Sequence, residues 1–176
     1  SLQIDASKRF NLSAQQTLDI CQQLYERHKL ITYPRSDCRY LPQGHYAERQ
    51  AVAHAISSTA TELSAAVTAA DLQLKSKAWN DAEVGAHHAI IPTSTHMDAG
   101  RLSKEELQIY SLIARQYLMQ FYPPFQYAEH QIDTEVAGGL FIARQKQCSP
   151  KVGNSCSQQV KIMTQMPNLR QIRYPM

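Results

Sequence analysis

Tyr33 and Arg35 stand two residues apart in the stretch Leu30-Ile31-Thr32-Tyr33-Pro34-Arg35-Ser36-Asp37. In an extended segment that spacing sends both side chains off one face. A phenol beside a guanidinium suits attack on a phosphodiester. Arginine can grip a phosphate through two parallel hydrogen bonds, and its charge favours phenolate over phenol. Such help is needed because a free phenol titrates near about pH 10. Pro34 fixes its own φ and steers Tyr33 away from helical geometry, so the pair sits on stiffened backbone. Lys29 and Arg39 add positive charge, and residues 1–40 carry six basic against four acidic side chains. A second cluster is the adjacent pair His87-His88, whose imidazoles change charge near neutral pH. Neither cluster decides the matter alone. Tyr-x-Arg is common and usually a packing or surface contact, and a single histidine is most often a core or capping residue. Adjacent histidines also suggest a metal, but no carboxylate or cysteine stands at a supporting spacing, so no metal ligands are assigned.

The elements that must position these residues are legible as helices. Ser13 followed by Gln16 is a capping-box pattern, and Leu18, Cys21, Leu24 and Tyr25 recur at helical spacing. This helix is expected to run to about Lys29, where Arg27 and Lys29 would complement the negative end of its macrodipole. A short helix over Gln3 to Phe10 precedes it across an Asn-Leu-Ser turn, a helix-turn-helix-like pair. The tyrosine stretch then reads as extended. A third helix fits Tyr46 to about Ser57, and residues 61–85 read as alanine-rich and irregular around Trp79, the single tryptophan. Ser103 and Glu106 form another capping box, and Leu107, Tyr110, Ile113, Ala114, Tyr117 and Leu118 supply a buried stripe. Pro123-Pro124 ends that helix. From Gln126 apolar and polar residues alternate as in a half-buried strand, and Gly138-Gly139 turns into Leu140-Phe141-Ile142-Ala143. After Arg144 the pattern collapses into Gln, Ser, Asn and Pro, which predicts disorder.

Bulk properties exclude more than they assign. The 176 residues, 43% hydrophobic, suffice for one domain with a core and a small second part. No run of about 18 apolar residues occurs, so no membrane-spanning helix is expected, and the N-terminal residues lack the charged-then-apolar pattern of a secretory signal. The net charge of +3 belongs to the tail. Setting aside the six basic residues after position 143 leaves twelve basic against fifteen acidic, a formal −3. Bulk charge is therefore silent about nucleic acid. The four cysteines form no C-x-x-C pair, as expected of free thiols in a cytoplasmic protein.

The stretch from Leu30 to Asp37 is similar to the active-site signature of type IA DNA topoisomerases, and its Pro and Ser-Asp resemble the topoisomerase III branch more than the topoisomerase I branch. Gly85-Ala86-His87-His88-Ala89-Ile90-Ile91-Pro92-Thr93 resembles a second family signature. Leu2-Gln3-Ile4-Asp5-Ala6-Ser7 and Leu112-Ile113-Ala114-Arg115-Gln116-Tyr117 also look like family segments, in the right order. The resemblance implies that Tyr33 is the nucleophile, leaving a 5′-phosphotyrosine link and a free 3′-hydroxyl. It implies that Arg35 positions the scissile phosphate and that His87 contacts it or supports the reaction. Arg39, His88 and Lys29 are expected to contact DNA, while Thr32, Ser36 and Asp37 support the loop.

The fold implied is mainly α with a small β part. Residues 1–122 would be the tyrosine-bearing domain III, with winged-helix or CAP-like character. Residues 123–144 would be a β-hairpin returning into the arc domain, and residues 145–176 a divergent tail. That tail is either the product of a frameshift or a real DNA-binding extension through its basic residues. In complete members of the family, Mg²⁺ and a lysine beside the tyrosine belong to a Toprim domain. No matching acidic motif occurs here, so the chain is expected to be a central fragment, inactive alone. Its expected partners are single-stranded DNA and the missing domains, in the cytoplasm at the nucleoid. Two other outcomes stay open: a non-catalytic DNA- or protein-binding module, and an inert truncated product.

Overall fold

A computed structural model describes residues 1–124 and 127–148. The chain divides into two units, the first Ser1–Tyr122 and the second beginning at Pro123. The architecture is mainly helical with one two-stranded antiparallel sheet.

In the first unit, α1 (Leu2–Phe10) ends at Asn11, whose φ of 57° is the left-handed cap conformation that asparagine tolerates. The turn leads to Ser13, whose hydroxyl accepts the Gln16 N–H while the Gln16 side chain accepts the Ser13 N–H. That reciprocal cap starts α2 (Ala14–Glu26), which buries Thr17, Cys21 and Leu24. The helix stops three residues short of Lys29. His28 N–H bonds Gln23 O at 3.1 Å and Leu30 N–H bonds Leu24 O at 2.9 Å. With Lys29 at φ 57°, the chain reverses so that His28 and Leu30 are both buried. Burying those two side chains outweighs the helix extension that the basic residues favour.

The expected helix from Tyr46 begins instead as a 3-10 turn, Gln43–Glu48, and becomes α3 only over Arg49–Thr59. Arg49 explains the change: its Nε donates to Leu72 O at 2.7 Å and its Nη1 to Tyr46 O at 3.0 Å. Residues 61–85 are less irregular than their composition suggests, since α4 (Ser64–Ala69) lies within them. Trp79 is buried and packs edge-on to Tyr46 and near Tyr117 and Phe121. Then α5 (Lys104–Leu118), capped by Ser103 and Glu106, buries Ile109, Tyr110, Ile113, Ala114, Tyr117 and Leu118, with Leu107 only partly covered. Helices α1, α2 and α5 pack on one another around this stripe. Glu106 also acts beyond its own helix. Its Oε1 lies 3.0 Å from His28 Nε2, both side chains buried, so the start of α5 is tied to the end of α2.

In the second unit β1 (Tyr127–Val136) and β2 (Gly139–Cys148) pair with Thr134 opposite Phe141 and Ile132 opposite Ala143. The alternation is real, yet all ten residues of β1 are exposed, so the half-buried reading is corrected. The turn is Ala137-Gly138, φ 50° and 79°, rather than Gly138-Gly139. Two successive positive φ values make the mirror-image turn whose twist suits a hairpin. The second strand runs on through Gln145 and Lys146 to Cys148, past the expected end at Arg144. Cross-strand hydrogen bonding extends it where apolar patterning gives no cue. The rest of the tail expected to be disordered, residues 149–176, lies outside the described residues.

Candidate active site

Two pairings bring the tyrosine stretch and the histidine stretch together. At one, Thr32 N–H bonds Ile91 O and Thr93 N–H bonds Leu30 O, both at 2.9 Å, with Ile31 bridged to Pro92. The expected strand from Leu30 is thus this single bridge. At the other, Ala89 N–H bonds Tyr40 O at 2.9 Å, and Leu41 pairs with Trp79. Both lie on the buried Leu30, Ile31, Leu41, Trp79 and Ile91. The residues between them are therefore held at both ends.

Within that frame exposure alternates: Tyr33 outward, Pro34 buried, Arg35 outward. Tyr33 is 40% exposed, and its ring lies 4.6 Å from the His87 ring at a tilt of 35°. On its other flank the edge of Tyr25 approaches at 5.7 Å and 83°. The edge-on contact is a favourable aromatic arrangement, and with the tilted His87 ring on the other flank it restricts the phenol's rotation while leaving it open to solvent. Arg35 and His87 line a groove of about 410 Å³ with Ser36, Asp37, Cys38, Arg39, Tyr40 and Glu83. Arg35 Nη2 reaches Gln22 Oε1 on α2 at 3.4 Å, a long bond that leaves most of its donors uncommitted among the described residues.

The remaining sequence candidates separate. Arg39 is in the groove. Lys29 extends its ammonium 5.6 Å from the centre of the Tyr25 ring, and so borders the aromatic group without lining the groove. His88 turns away from its neighbour: its Nδ1 lies 2.7 Å from Ala89 O and its ring meets His45 at 4.7 Å. Burial, then the charge of His88, holds the His45 imidazole below its ordinary pKa, with Glu48 opposing. The structure thus gathers His87, Arg35 and Arg39 along one groove, reaches Tyr33 from it through the His87 ring rather than as a lining residue, and pairs His88 elsewhere. Sequence reasoning passed over Tyr25, counted only as part of an apolar face, and over Gln22, Tyr40 and Glu83. Among these only Tyr25 carried a signal, as an aromatic in the last turn before the tyrosine stretch.

Among the described residues no three His, Cys, Asp or Glu side chains converge to hold an ion. The described residues therefore offer no Mg²⁺ site of their own.

A family model described as DNA topoisomerase matches residues 1–151. DNA topoisomerase 3 of Vibrio cholerae is 60% identical over 147 residues, covering 84% of this chain and 23% of that protein. DNA topoisomerase 3 of Pasteurella multocida is 54% identical over 144 residues (82% and 22%), and that of Bacillus subtilis 36% over 146 residues (82% and 20%). The chain therefore spans between a fifth and a quarter of the length of these relatives. With the family model and relatives of this identity agreeing over the same residues, the chain belongs to the type IA DNA topoisomerase family, on its topoisomerase III branch.

Proposed function

We propose that this chain supplies the nucleophile of a single-strand DNA transesterification, and that Tyr33 is that nucleophile. The observation carrying the proposal is the Tyr33 phenol standing half-exposed against His87, beside a groove that holds Arg35. The phenol oxygen loses its proton and attacks phosphorus. The phosphorus–O3′ bond breaks, the 3′-oxygen leaves as a hydroxyl after taking up a proton, and a 5′-phosphotyrosine remains. Reversal reseals the strand with no net bond lost, which is what permits relaxing or decatenating DNA through transient breaks. Arg35 would grip the non-bridging oxygens and favour phenolate. His87, in ring contact with the phenol, is placed to move a proton or hold the phosphate. Arg39, and more remotely Lys29 and His88, would contact the DNA backbone.

In this reading residues 1–122 are the winged-helix or CAP-like domain III, and the hairpin is the start of the arc domain. Mg²⁺, the Toprim domain and the remainder of the ring belong to other parts of a longer polypeptide working at the bacterial nucleoid. The open groove supports an incomplete site in this chain: a phosphate there stays in contact with water, which weakens the electrostatic help that a closed site provides.

The experiment is adduct formation on labelled single-stranded DNA with Mg²⁺, with a polypeptide supplying the rest of the relatives' length. A covalent adduct that disappears in Tyr33→Phe is expected. An adduct that survives Tyr33→Phe contradicts the assignment, and no adduct from the unaltered protein favours a binding module.

A further inference from the structure

Of the two pairings that join the tyrosine stretch to the histidine stretch, the one at Ile31 and Pro92 is only two backbone bonds long, and both its ends are irregular. In a regular antiparallel ladder, Ile91 N–H would return a bond to the carbonyl of Thr32, and Leu30 N–H to that of Thr93. Neither does. Ile91 N–H donates to the Thr32 hydroxyl oxygen at 3.0 Å. Leu30 N–H is taken by Leu24 O at the end of α2, and the Thr93 hydroxyl donates to Lys29 O at 2.6 Å. A threonine side chain thus closes each end.

The two ends differ in their distance from the phenol. Thr93 closes the end away from the tyrosine, whereas Thr32 is bonded directly to Tyr33. A Thr32 carbonyl paired with Ile91 N–H would prolong the strand and fix Tyr33 in its line. With the hydroxyl accepting instead, the carbonyl is released, Ile91 N–H still has a partner, and the backbone leaves the ladder at the residue that must stand over His87.

We propose that Thr32 is a positioning residue whose hydroxyl replaces a ladder carbonyl and thereby sets the Tyr33 ring against His87. Its consequence for activity rests on Tyr33 being the nucleophile; the geometric claim does not.

The test separates these. In the 176-residue chain, nuclear Overhauser contact between the Tyr33 and His87 rings and hydrogen exchange at the Ile91 amide are measured for four forms. The unaltered chain and Thr32→Ser should show the ring contact and a protected amide. Thr32→Val should lose the contact and speed exchange at Ile91 by about tenfold or more. Thr93→Val, which removes a hydrogen bond at the far end, should keep the ring contact. Adduct formation with the completing polypeptide should fall about tenfold or more in Thr32→Val at unchanged DNA affinity, and return in Thr32→Ser. A ring contact that persists in Thr32→Val, or is lost equally in Thr93→Val, overturns the proposal. If Thr32→Val does not fold, Thr32→Ala replaces it, and rapid exchange at Ile91 in the unaltered chain also overturns it. Absence of any adduct from the unaltered protein would sink the nucleophile assignment while leaving the ring-contact result to decide the positioning role.

Discussion

At the scale of single residues, the proposed mechanism has the guanidinium and the phenol do work that neither could do alone, and substitution can separate charge from shape. Arg35→Lys keeps the positive charge but replaces a planar fork with a point charge, which cannot grip two phosphate oxygens in parallel. Adduct formation should slow by roughly ten- to a hundredfold in Arg35→Lys, with DNA affinity nearly unchanged. An unaltered rate would mean that Arg35 acts only through its charge. Cys21 offers a control of the opposite kind. Burial pushes its thiol up to about 12, so at about pH 8 it holds almost no thiolate and lies out of reach. It should resist iodoacetamide in the folded protein and react once urea unfolds it, as peptide mass spectrometry would show. Much of this residue-level picture is legible in the sequence, since the Tyr33 and Arg35 spacing implies a shared face and exposure alternates through Pro34. The contact between Tyr33 and His87 is not: no periodicity links residues so far apart, and only the resemblance to a family suggests it. The divergence of His87 and His88 is hidden for the converse reason, because adjacency in sequence does not decide which way a ring turns.

At the scale of elements, local chemistry announces itself well wherever a side chain closes a backbone bond nearby. Both capping boxes, at Ser13 and Ser103, stand where the sequence places them. Ends set by distant partners escape such reading: α2 yields to the burial of His28 and Leu30, and the start of α3 is drawn into a 3-10 turn by Arg49 reaching Leu72. Glu106 joins both kinds. Burial alone would raise its carboxyl, but the Ser103 N–H, His28 and the Ser103 hydroxyl together outweigh that and hold it below the ordinary value of 4.5. A depressed carboxyl stabilises the fold fully above its unfolded pKa, and that contribution is lost as pH falls through the lower folded one. Glu106→Gln should therefore lower stability at about pH 7, with the deficit narrowing below about pH 4.5 as the wild-type carboxylate is protonated. Urea titrations at about pH 7 and about pH 3.5 check this. A deficit independent of pH would mean that the pair contributes packing and no charge.

At the scale of the molecule, the two units pose different physical problems. The first has a continuous aromatic and aliphatic core, whereas the hairpin exposes Ile132, Val136, Leu140, Phe141 and Ile142. A two-stranded hairpin by itself is marginal in water. The sequence shows the alternation of β1 but not its exposure, because alternation says which residues share a face and is silent about what covers it. The chain spans about a fifth to a quarter of the length of the relatives it matches. Whether Tyr33 is the atom-donating residue is settled most directly by tracing the label. Single-stranded DNA bearing ³²P at one internal phosphate is cleaved by the completed protein, the adduct is trapped with denaturant, and nuclease and protease digestion is followed by peptide mass spectrometry. The expected result is phosphate on Tyr33 in the peptide spanning Leu30 to Arg35. Label on any other tyrosine, or on no residue of this chain, would contradict it.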